Sequence, residues 1–196
     1  FHYAVAALKD MGAEVQAFVL KDTPEDFQQL LQKTLPTTDV VVSSGGISAG
    51  KYDFIPAALE NMGADMLYRK IDIKPGKPNL FARLPNGALY FGLPGNPAAT
   101  AAGLAFLVRP ALTLMHNKPL PHTEKAKLTA NLENPKPLTL FLKGKKHICE
   151  AGEQRVDSLD GQNSFMTRAF LEANCWIVVP ENSTHNSGDV VEVVPL

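Results

Sequence analysis

The feature that most constrains the fold is an alternation of helical and strand patterns along the first half of the chain. Apolar residues at helical spacing over 2–11 are followed by a strand pattern over 14–20. A second helix is predicted to begin at Thr23, a hydroxyl cap that precedes Pro24 at the first helical position. The β-branched run 39–43 is typical of a strand buried on both faces of a parallel sheet. This alternation predicts an α/β domain with three layers, α/β/α.

The alternation continues to a polar, proline-containing linker at 116–122 and ends there. Before the linker we predict a helix near 54–62, strands at 66–73, 80–84 and 88–91, and a long helix over 98–115 bent at Pro110. After it we predict short strands at 125–132, 138–142, 147–150, 175–179 and 190–194, with helical spacing only at 164–173. The sequence therefore predicts two domains, an α/β domain over 1–117 and a small all-β barrel or sandwich over 118–196.

Composition excludes several classes of function. The chain has 196 residues, and its 19 basic and 20 acidic side chains give a formal net charge of −1, which favours neither nucleic acid nor an anionic membrane as a partner. Cys149 and Cys175 are too few and too far apart for a disulfide framework or a zinc site, and indicate a cytoplasmic protein. We expect no membrane span and no signal peptide. Because helical spacing starts directly at Phe1, we interpret the sequence as a C-terminal piece of a longer protein.

The first of three glycine- or proline-rich loops covers residues 43–50 and follows the β-branched strand. A strand, a glycine loop and a helix in succession bring backbone N–H groups together, which suits a phosphate or another oxyanion. The spacing matches neither of the two common nucleotide-binding loops. A tight connection without a ligand explains the pattern equally well.

The second loop, Lys74-Pro75-Gly76-Lys77-Pro78, places two ammonium groups three residues apart, each directly before a proline. Proline restricts its own φ and the residue before it, so the lysines have little backbone freedom and suit an oxyanionic ligand. The alternative is a solvated turn, since most lysines are simply exposed.

The third loop, residues 92–97, lies between a predicted strand and the long helix. Asn96 is expected to cap that helix, with Pro97 at its first position, whether or not a ligand binds. The free N–H groups of the turn offer a second anion cradle. Both glycine loops follow predicted parallel strands, at the edge where open α/β sheets place their ligands.

Other residues carry weaker signals. Asp53 is either a helix cap or a ligand for Mg²⁺, which takes one or two carboxylates together with ligand phosphates. The basic run 143–146 is predicted to be a solvated hairpin tip, and Trp176 is predicted to lie in a core.

Taken together and in order, the segments SSGGISAGKYDF, KPGKP and FGLPGNP closely resemble the MoeA family of molybdopterin molybdenumtransferases, which includes the E domain of gephyrin. Residues 1–115 resemble the MogA-like α/β domain of that family, and residues 123–196 resemble its C-terminal β domain. The segments 161–164 and 174–180 are similar to family segments but less distinctive.

The resemblance implies a role in molybdenum cofactor biosynthesis. Members insert molybdate into adenylylated molybdopterin and release AMP, with Mg²⁺ as cofactor. They act in the cytoplasm as homodimers, and a MogA-type adenylyltransferase is a possible partner. The resemblance implies no nucleic-acid or membrane partner.

The resemblance also implies roles for particular residues. Phosphates of the nucleotide or pterin would be bound by the first loop (Ser44, Gly45, Gly46, Ser48 and Gly50). Asp53 would serve Mg²⁺ and catalysis. Lys74 and Lys77 would bind molybdate or phosphate as catalytic residues, Pro78 would shape the pocket, and Gly95 and Asn96 would line the opposite wall.

Two positions depart from the family pattern. Lys51 stands where members usually have an acid, and Ala99 stands where many have serine, with Thr100 beside it at a different helical angle. These departures leave two alternatives open: a non-catalytic scaffold of the same fold, as in gephyrin-type proteins, or a generic phosphate-binding α/β module.

Overall fold

The structure is a computed structural model that describes residues 1–47, 54–163 and 167–196. The chain divides into two compact units. The first contains Phe1–Ile71 and Gly76–Asn117, and the second contains Asp72–Pro75 and Lys118–Leu196. The short segment Asp72–Pro75 thus belongs to the second unit, although it interrupts the first along the chain.

The first unit contains five α-helical segments and four strands among the residues described. The helices are α1 (His2–Asp10), α2 (Pro24–Thr34), α3 (Ile55–Asn61), α4 (Pro97–Gly103) and α5 (Arg109–Met115), and a 3-10 turn covers Leu35–Thr37. The strands are β1 (Val40–Ser44), β2 (Asp65–Tyr68), β4 (Leu80–Arg83) and β5 (Leu89–Leu93). Strand β3 (Ile73–Lys74) lies in the second unit.

Local signals explain where several of these elements begin and end. The Thr23 hydroxyl accepts a hydrogen bond from the backbone N–H of Asp26 (3.4 Å), and Pro24 takes the first position of α2. Gly12 (φ +88°) and Gly63 (φ +80°) follow α1 and α3 in the left-handed region, where glycine ends a helix without strain.

The sheet of the first unit has the order β1-β5-β4-β2. Only β1 and β5 are parallel; β4 runs antiparallel to both of its neighbours. Apolar clusters cover the two faces. One is built on Phe27, Leu59 and Tyr90, and the other on Phe91, Leu104 and Val108. Helices therefore pack on both faces, and the predicted three-layer architecture is confirmed.

One strand prediction in this unit was wrong, and another was right in position but not in burial. Residues 14–20 form no strand, since no described strand pairs with them, and Val19 is 82% exposed. The strand predicted at 39–43 is present as β1, but it is only half-buried because it lies at the edge of the described sheet, with Val41 packed on one core cluster and Val42 on the other.

The predicted long helix is a helical run from Pro97 to Met115 with a π-helical segment at Leu104–Val108. Pro110 explains the irregularity: it lacks a backbone N–H, and its ring displaces the carbonyl of the preceding turn. The run is long and apolar enough to cross a membrane, contrary to our expectation that no such run exists. Half of its most apolar window is buried within the protein, as in an ordinary core helix, so this is weak evidence of a span.

The second unit is built on a closed barrel. Its strands are β3, β6 (Glu124–Leu128), β7 (Leu132–Asn134), β8 (Thr139–Ile148), β9 (Gln154–Ser158), β10 (Cys175–Val179), β11 (Ser183–His185) and β12 (Val190–Pro195). The main sheet has the order β10-β12-β6-β9-β8-β3, and a further pairing of β10 with β8 closes five of these strands into a ring. This confirms the predicted small barrel.

The basic run 143–146 is not a hairpin tip, and that prediction was wrong. It lies within the long strand β8, where Lys143 is 1% exposed. The Lys143 ammonium donates to the carbonyl of Gly161 (2.6 Å) and lies 5.2 Å from the ring centroid of Phe170. Burial lowers the pKa of Lys143. As predicted, Trp176 is fully buried.

Candidate functional site

The strand register of the first unit brings three loops to one edge of its sheet. The parallel strands β1 and β5 end side by side, with Ser44 opposite Leu93. Strand β4 runs the other way and begins there, with Leu80 opposite Gly92. The loop after β1, the loop after β5 and the Gly76–Pro78 turn before β4 therefore share this edge.

The first and third loops are in direct contact. The backbone N–H of Gly45 donates to the carbonyl of Leu93 (2.9 Å), which continues the β1–β5 ladder by one residue. A Cβ on Gly95 would lie 3.5 Å from Cα of Gly45. Gly45 and Gly46 have φ of +100° and +70°, a region that L side chains rarely adopt. Glycine is required here by backbone conformation.

Thr100 ties these two loops together. Its hydroxyl lies 2.7 Å from the carbonyl of Pro94, 3.1 Å from the carbonyl of Asn96 and 3.3 Å from Oγ of Ser44. Either of the two hydroxyls can donate in the contact between Thr100 and Ser44. Sequence reasoning set Thr100 aside because of its helical angle, and missed that α4 brings it beneath the first loop.

A second buried hydroxyl supports the first loop from below. The Tyr90 hydroxyl donates to Oγ of Ser43 at 2.6 Å. Burial raises the pKa of Tyr90, and the hydrogen bond to Ser43 opposes that shift. Tyr90 therefore acts as a neutral hydrogen-bond donor at neutral pH.

Close packing fixes where the first loop leaves the sheet. Ile47 is buried and lies over Gly92, where a Cβ would come within 2.9 Å of the Ile47 side chain and 3.1 Å of Cβ of Leu80. Gly92 thus makes room for Ile47 on the surface of the sheet.

Asn96 has the predicted capping role. Its side-chain oxygen accepts from the backbone N–H of Ala98 (3.1 Å), and Pro97 takes the first position of α4. Ala99, the position that departs from the family pattern, is 3% exposed and packs in the core.

In the second loop, Lys77 belongs to the first unit and its side chain is exposed. Its carbonyl accepts from the N–H groups of Ile71 (3.2 Å) and Asn79 (2.9 Å). Asn79 is fully buried, and its side-chain amide donates to the carbonyl of Gly76. The turn that carries Lys77 and the half-buried Pro78 is thus held from inside by a residue that the sequence did not single out.

Lys74 belongs to the second unit, where β3 runs parallel to β8. Its side chain is exposed, and the nearby positive charge of Lys136 is the main cause that lowers the pKa of Lys74. Lys136 was not predicted as a site residue. Its only signal in the sequence is its place between Pro135 and Pro137.

Several predicted site residues lie outside the described residues: Ser48, Gly50 and Asp53, together with the departing Lys51. Within residues 1–47, 54–163 and 167–196, no group of three or more His, Cys, Asp or Glu side chains could hold a metal ion.

A cavity of about 470 Å³ lies elsewhere in the first unit, where β1 and β5 begin. Asp39, Asn86 and Met115 are among the residues that line it. None of the predicted site residues that the structure describes lines this cavity. The cavity and the three loops are at opposite edges of the sheet.

The loop edge brings together groups that suit an oxyanion. The two glycine loops end beside each other, and Lys77 adds an exposed ammonium on the neighbouring turn. Glycine loops and ammonium groups of this kind are typical of sites that bind anions.

Two family models match the chain. Residues 2–114 match the family model described as "Probable molybdopterin binding domain". Residues 125–196 match the model of the MoeA C-terminal region, domain IV.

The chain is similar to curated proteins named molybdopterin molybdenumtransferase. It is 35% identical to that of Haemophilus influenzae over 90% of this chain and 44% of the relative. It is 30% identical to that of Bacillus subtilis over 84% of this chain and 38% of the relative. The chain thus spans less than half the length of these two relatives.

Solved structures share the fold. Two crystal structures of the molybdopterin biosynthesis MoeA protein of Pyrococcus horikoshii match with TM-scores of 0.78 at 25% identity and 0.77 at 20% identity. They cover 99% and 100% of this chain, and 46% and 45% of the solved chains. One family model matches more than half of the chain, and the MoeA C-terminal model matches residues 125–196. The chain therefore belongs to the MoeA family.

Proposed function

We propose that this chain is part of a molybdopterin molybdenumtransferase, which inserts molybdate into adenylylated molybdopterin and releases AMP. The main support for this proposal is that both glycine loops and the Lys77 turn lie at one edge of the first unit's sheet. The transferase names of the two bacterial relatives support the choice of reaction over a generic phosphate site.

In this proposal the two glycine loops hold the phosphates of the adenylylated substrate. Gly45, Gly46 and Gly95 let the backbone approach the ligand, and Ser44 and Asn96 flank it. Backbone donors fixed in position bind the anion without reorganisation when charge shifts toward the leaving AMP.

Lys77 is proposed to bind molybdate beside those phosphates. Its ammonium offsets the charge of a second anion, and Pro78 narrows the backbone freedom of the turn. Insertion of molybdenum needs two anionic groups close together, and their mutual repulsion is the main cost that such a site offsets.

Mg²⁺ remains a prediction that rests on Asp53. Bound there with the substrate phosphates, the ion would neutralise charge on the phosphoanhydride. Asp53 lies outside the described residues. The homodimer, the MogA-type adenylyltransferase partner and the cytoplasmic location likewise remain predictions for the whole protein.

Isothermal titration calorimetry tests the proposal. The chain is titrated with AMP and, separately, with molybdate, each with and without Mg²⁺. Binding of both ligands is expected. AMP binding without molybdate binding would indicate the generic phosphate module instead, and binding of neither would indicate the scaffold.

A further inference from the structure

The cavity of about 470 Å³ in the first unit lies at the sheet edge opposite the three loops, where β1 and β5 begin. It is lined by residues 36–39 before β1, by residues 86–88 before β5, and by Met115 at the end of α5. All of these residues belong to the first unit. The volume lies within the range of about 300–1,000 Å³ that small-molecule sites occupy.

Two threonine hydroxyls in the lining have already used their protons. Oγ of Thr37 donates to the carbonyl of Thr34 (3.3 Å), and Oγ of Thr38 donates to the same carbonyl (2.8 Å). A hydroxyl that donates its one proton still has lone pairs that accept hydrogen bonds. In this conformation the two threonines therefore offer a ligand acceptor atoms and no side-chain donor.

The side-chain amide of Asn86 is also used within the protein. Its nitrogen donates to the carbonyls of Leu35 (2.8 Å) and Thr38 (3.4 Å), and its oxygen accepts from the N–H of Ala88 (3.0 Å). These bonds join the turn before β5 to the segment before β1, so they fix two walls of the cavity relative to each other. With both amide protons used, Asn86 has no donor left for a ligand.

Asp39 gives the cavity its charge. Among the described residues that line the cavity, it is the only charged one. Its side chain is exposed and takes part in none of the ion pairs that the described residues form. Its backbone carbonyl accepts from the N–H of Leu89 (2.9 Å), which fixes the position of Asp39 beside β5. A carboxylate is thus held at the cavity without a cation beside it.

Two helix ends add negative potential at the same place. Helix α2 continues into the 3-10 turn that ends at Thr37, and α5 ends at Met115. The C-terminal end of a helix carries a partial negative charge, which favours a cation. The backbone and the Asp39 side chain therefore favour the same sign of ligand charge.

Met115 and Pro36 give the cavity an apolar wall. Met115 is 44% exposed, although its side chain is large and apolar. Methionine adapts its shape to the group that packs against it. Long cationic groups bury their apolar stem against such surfaces and keep the charged end at polar groups.

We propose that this cavity binds an organic cation, namely a guanidinium or primary ammonium group on an apolar stem. The cation donates to the Asp39 carboxylate and to the hydroxyl oxygens of Thr37 and Thr38, and its stem packs against Met115. An anion gains no side-chain donor from these groups and is repelled by Asp39. The site is thus separate from the loop edge that the proposed function uses, and AMP or molybdate binding does not report on it.

Amide NMR of the ¹⁵N-labelled chain during titration with n-butylguanidinium tests the site. The amide signals of Thr38, Asp39 and Ala88 are expected to shift along one saturable curve. n-Butylurea has nearly the same shape without the charge, and we expect it to cause no saturable shift over the same concentrations. Equal binding of the urea and the guanidinium would overturn the proposal.

Asp39→Asn is expected to weaken n-butylguanidinium binding about tenfold, because it removes the charge from the acceptor. Asp22→Asn, at an exposed acid of the first unit outside the cavity, is the charge-matched control and should bind as the parent chain does. Circular dichroism of both variants checks that the fold is kept. An affinity in Asp39→Asn equal to that of the parent chain would overturn the site.

A second probe distinguishes the two sources of such a cation. The capped tripeptide N-acetyl-Gly-Arg-Gly-amide carries the same guanidinium on a peptide backbone. Binding of both probes, each weakened by Asp39→Asn, supports the site and indicates the arginine side chain of a partner protein. Binding of n-butylguanidinium alone, with the same dependence on Asp39, supports the site and indicates a free small molecule.

Discussion

At the scale of single residues, hydroxyl and amide groups beneath the loops matter as much as the loop residues themselves. Thr100, Tyr90 and Asn79 are all buried, and each bonds to one of the three loops from inside. Buried donors and acceptors need partners, so these side chains determine which loop conformation is stable.

Thr100→Val is expected to lower the free energy of unfolding by about 1–2 kcal/mol, because it leaves the carbonyl of Pro94 without its buried donor. Urea unfolding measures the change. Thr113→Val is the control, since its hydroxyl bonds to a helix carbonyl on the half-buried face of α5 (2.8 Å). Equal losses in the two variants would contradict the linking role of Thr100.

Lys77→Ala is expected to weaken molybdate binding about tenfold, because it removes one charge-assisted contact, and to leave the melting temperature unchanged since the side chain is exposed. Calorimetry and thermal melting measure the two quantities. Lys70→Ala, at another exposed lysine of the first unit, should bind as the parent chain does. Molybdate affinity that survives Lys77→Ala would remove Lys77 from the site.

Loop residues could be predicted from the sequence, but their supports could not. Gly45 and Gly46 are adjacent glycines after a strand, a local pattern that predicts the positive φ values observed there. Asn96 directly before Pro97 predicts a helix cap in the same way. Thr100 also reaches Ser44, 56 residues away in the chain. Only the pairing of β1 with β5 brings the two residues together, and no local pattern in the sequence shows that pairing.

At the scale of elements, pairing partners decide which patterns become structure. Residues 14–20 have a strand pattern but no described strand beside them, and they stay irregular. The run 143–146 looks solvent-exposed by composition, but pairing with β10 and β9 places it within β8. Helix α2, whose cap and apolar face are both local, begins where the sequence predicts, with Thr23 as its cap.

Gly92→Ala is expected to destabilise the first unit by about 1–3 kcal/mol, because a methyl group there meets Ile47 at 2.9 Å and Leu80 at 3.1 Å. Gly95→Ala meets its nearest neighbour at an ordinary 3.5 Å and should change stability by less than about 0.5 kcal/mol. Chemical unfolding of both variants makes the comparison. Equal stability of the two would show that Ile47 does not pack on Gly92.

On the barrel surface, Lys127 lies 2.5 Å from a carboxylate oxygen of Glu153, and this hydrogen bond and charge lower the pKa of Glu153. A lowered carboxyl pKa stabilises the fold above the unfolded-state pKa, and the stabilisation is lost as pH falls through the folded-state value. NMR titration of Lys127→Met should therefore show a higher Glu153 pKa than in the parent chain. An unchanged value would mean that the pair does not form in solution.

At the scale of the molecule, the α/β domain and the barrel follow from patterning that the sequence displays. The mixed sheet and the placement of residues 72–75 in the second unit do not, since both depend on which strands meet. The predicted site residues are divided between the two units. The glycine loops and Lys77 belong to the first unit, and Lys74 belongs to the second.

The central claim is that the two glycine loops at one edge of the first unit's sheet bind the anionic part of a nucleotide. Amide NMR of the ¹⁵N-labelled chain during titration with AMP tests it most directly. We predict that the amide signals of Gly45, Gly46, Gly95 and Asn96 shift together along one saturable curve. Shifts centred instead on Asp39 and Asn86, at the cavity on the opposite edge, would contradict the claim.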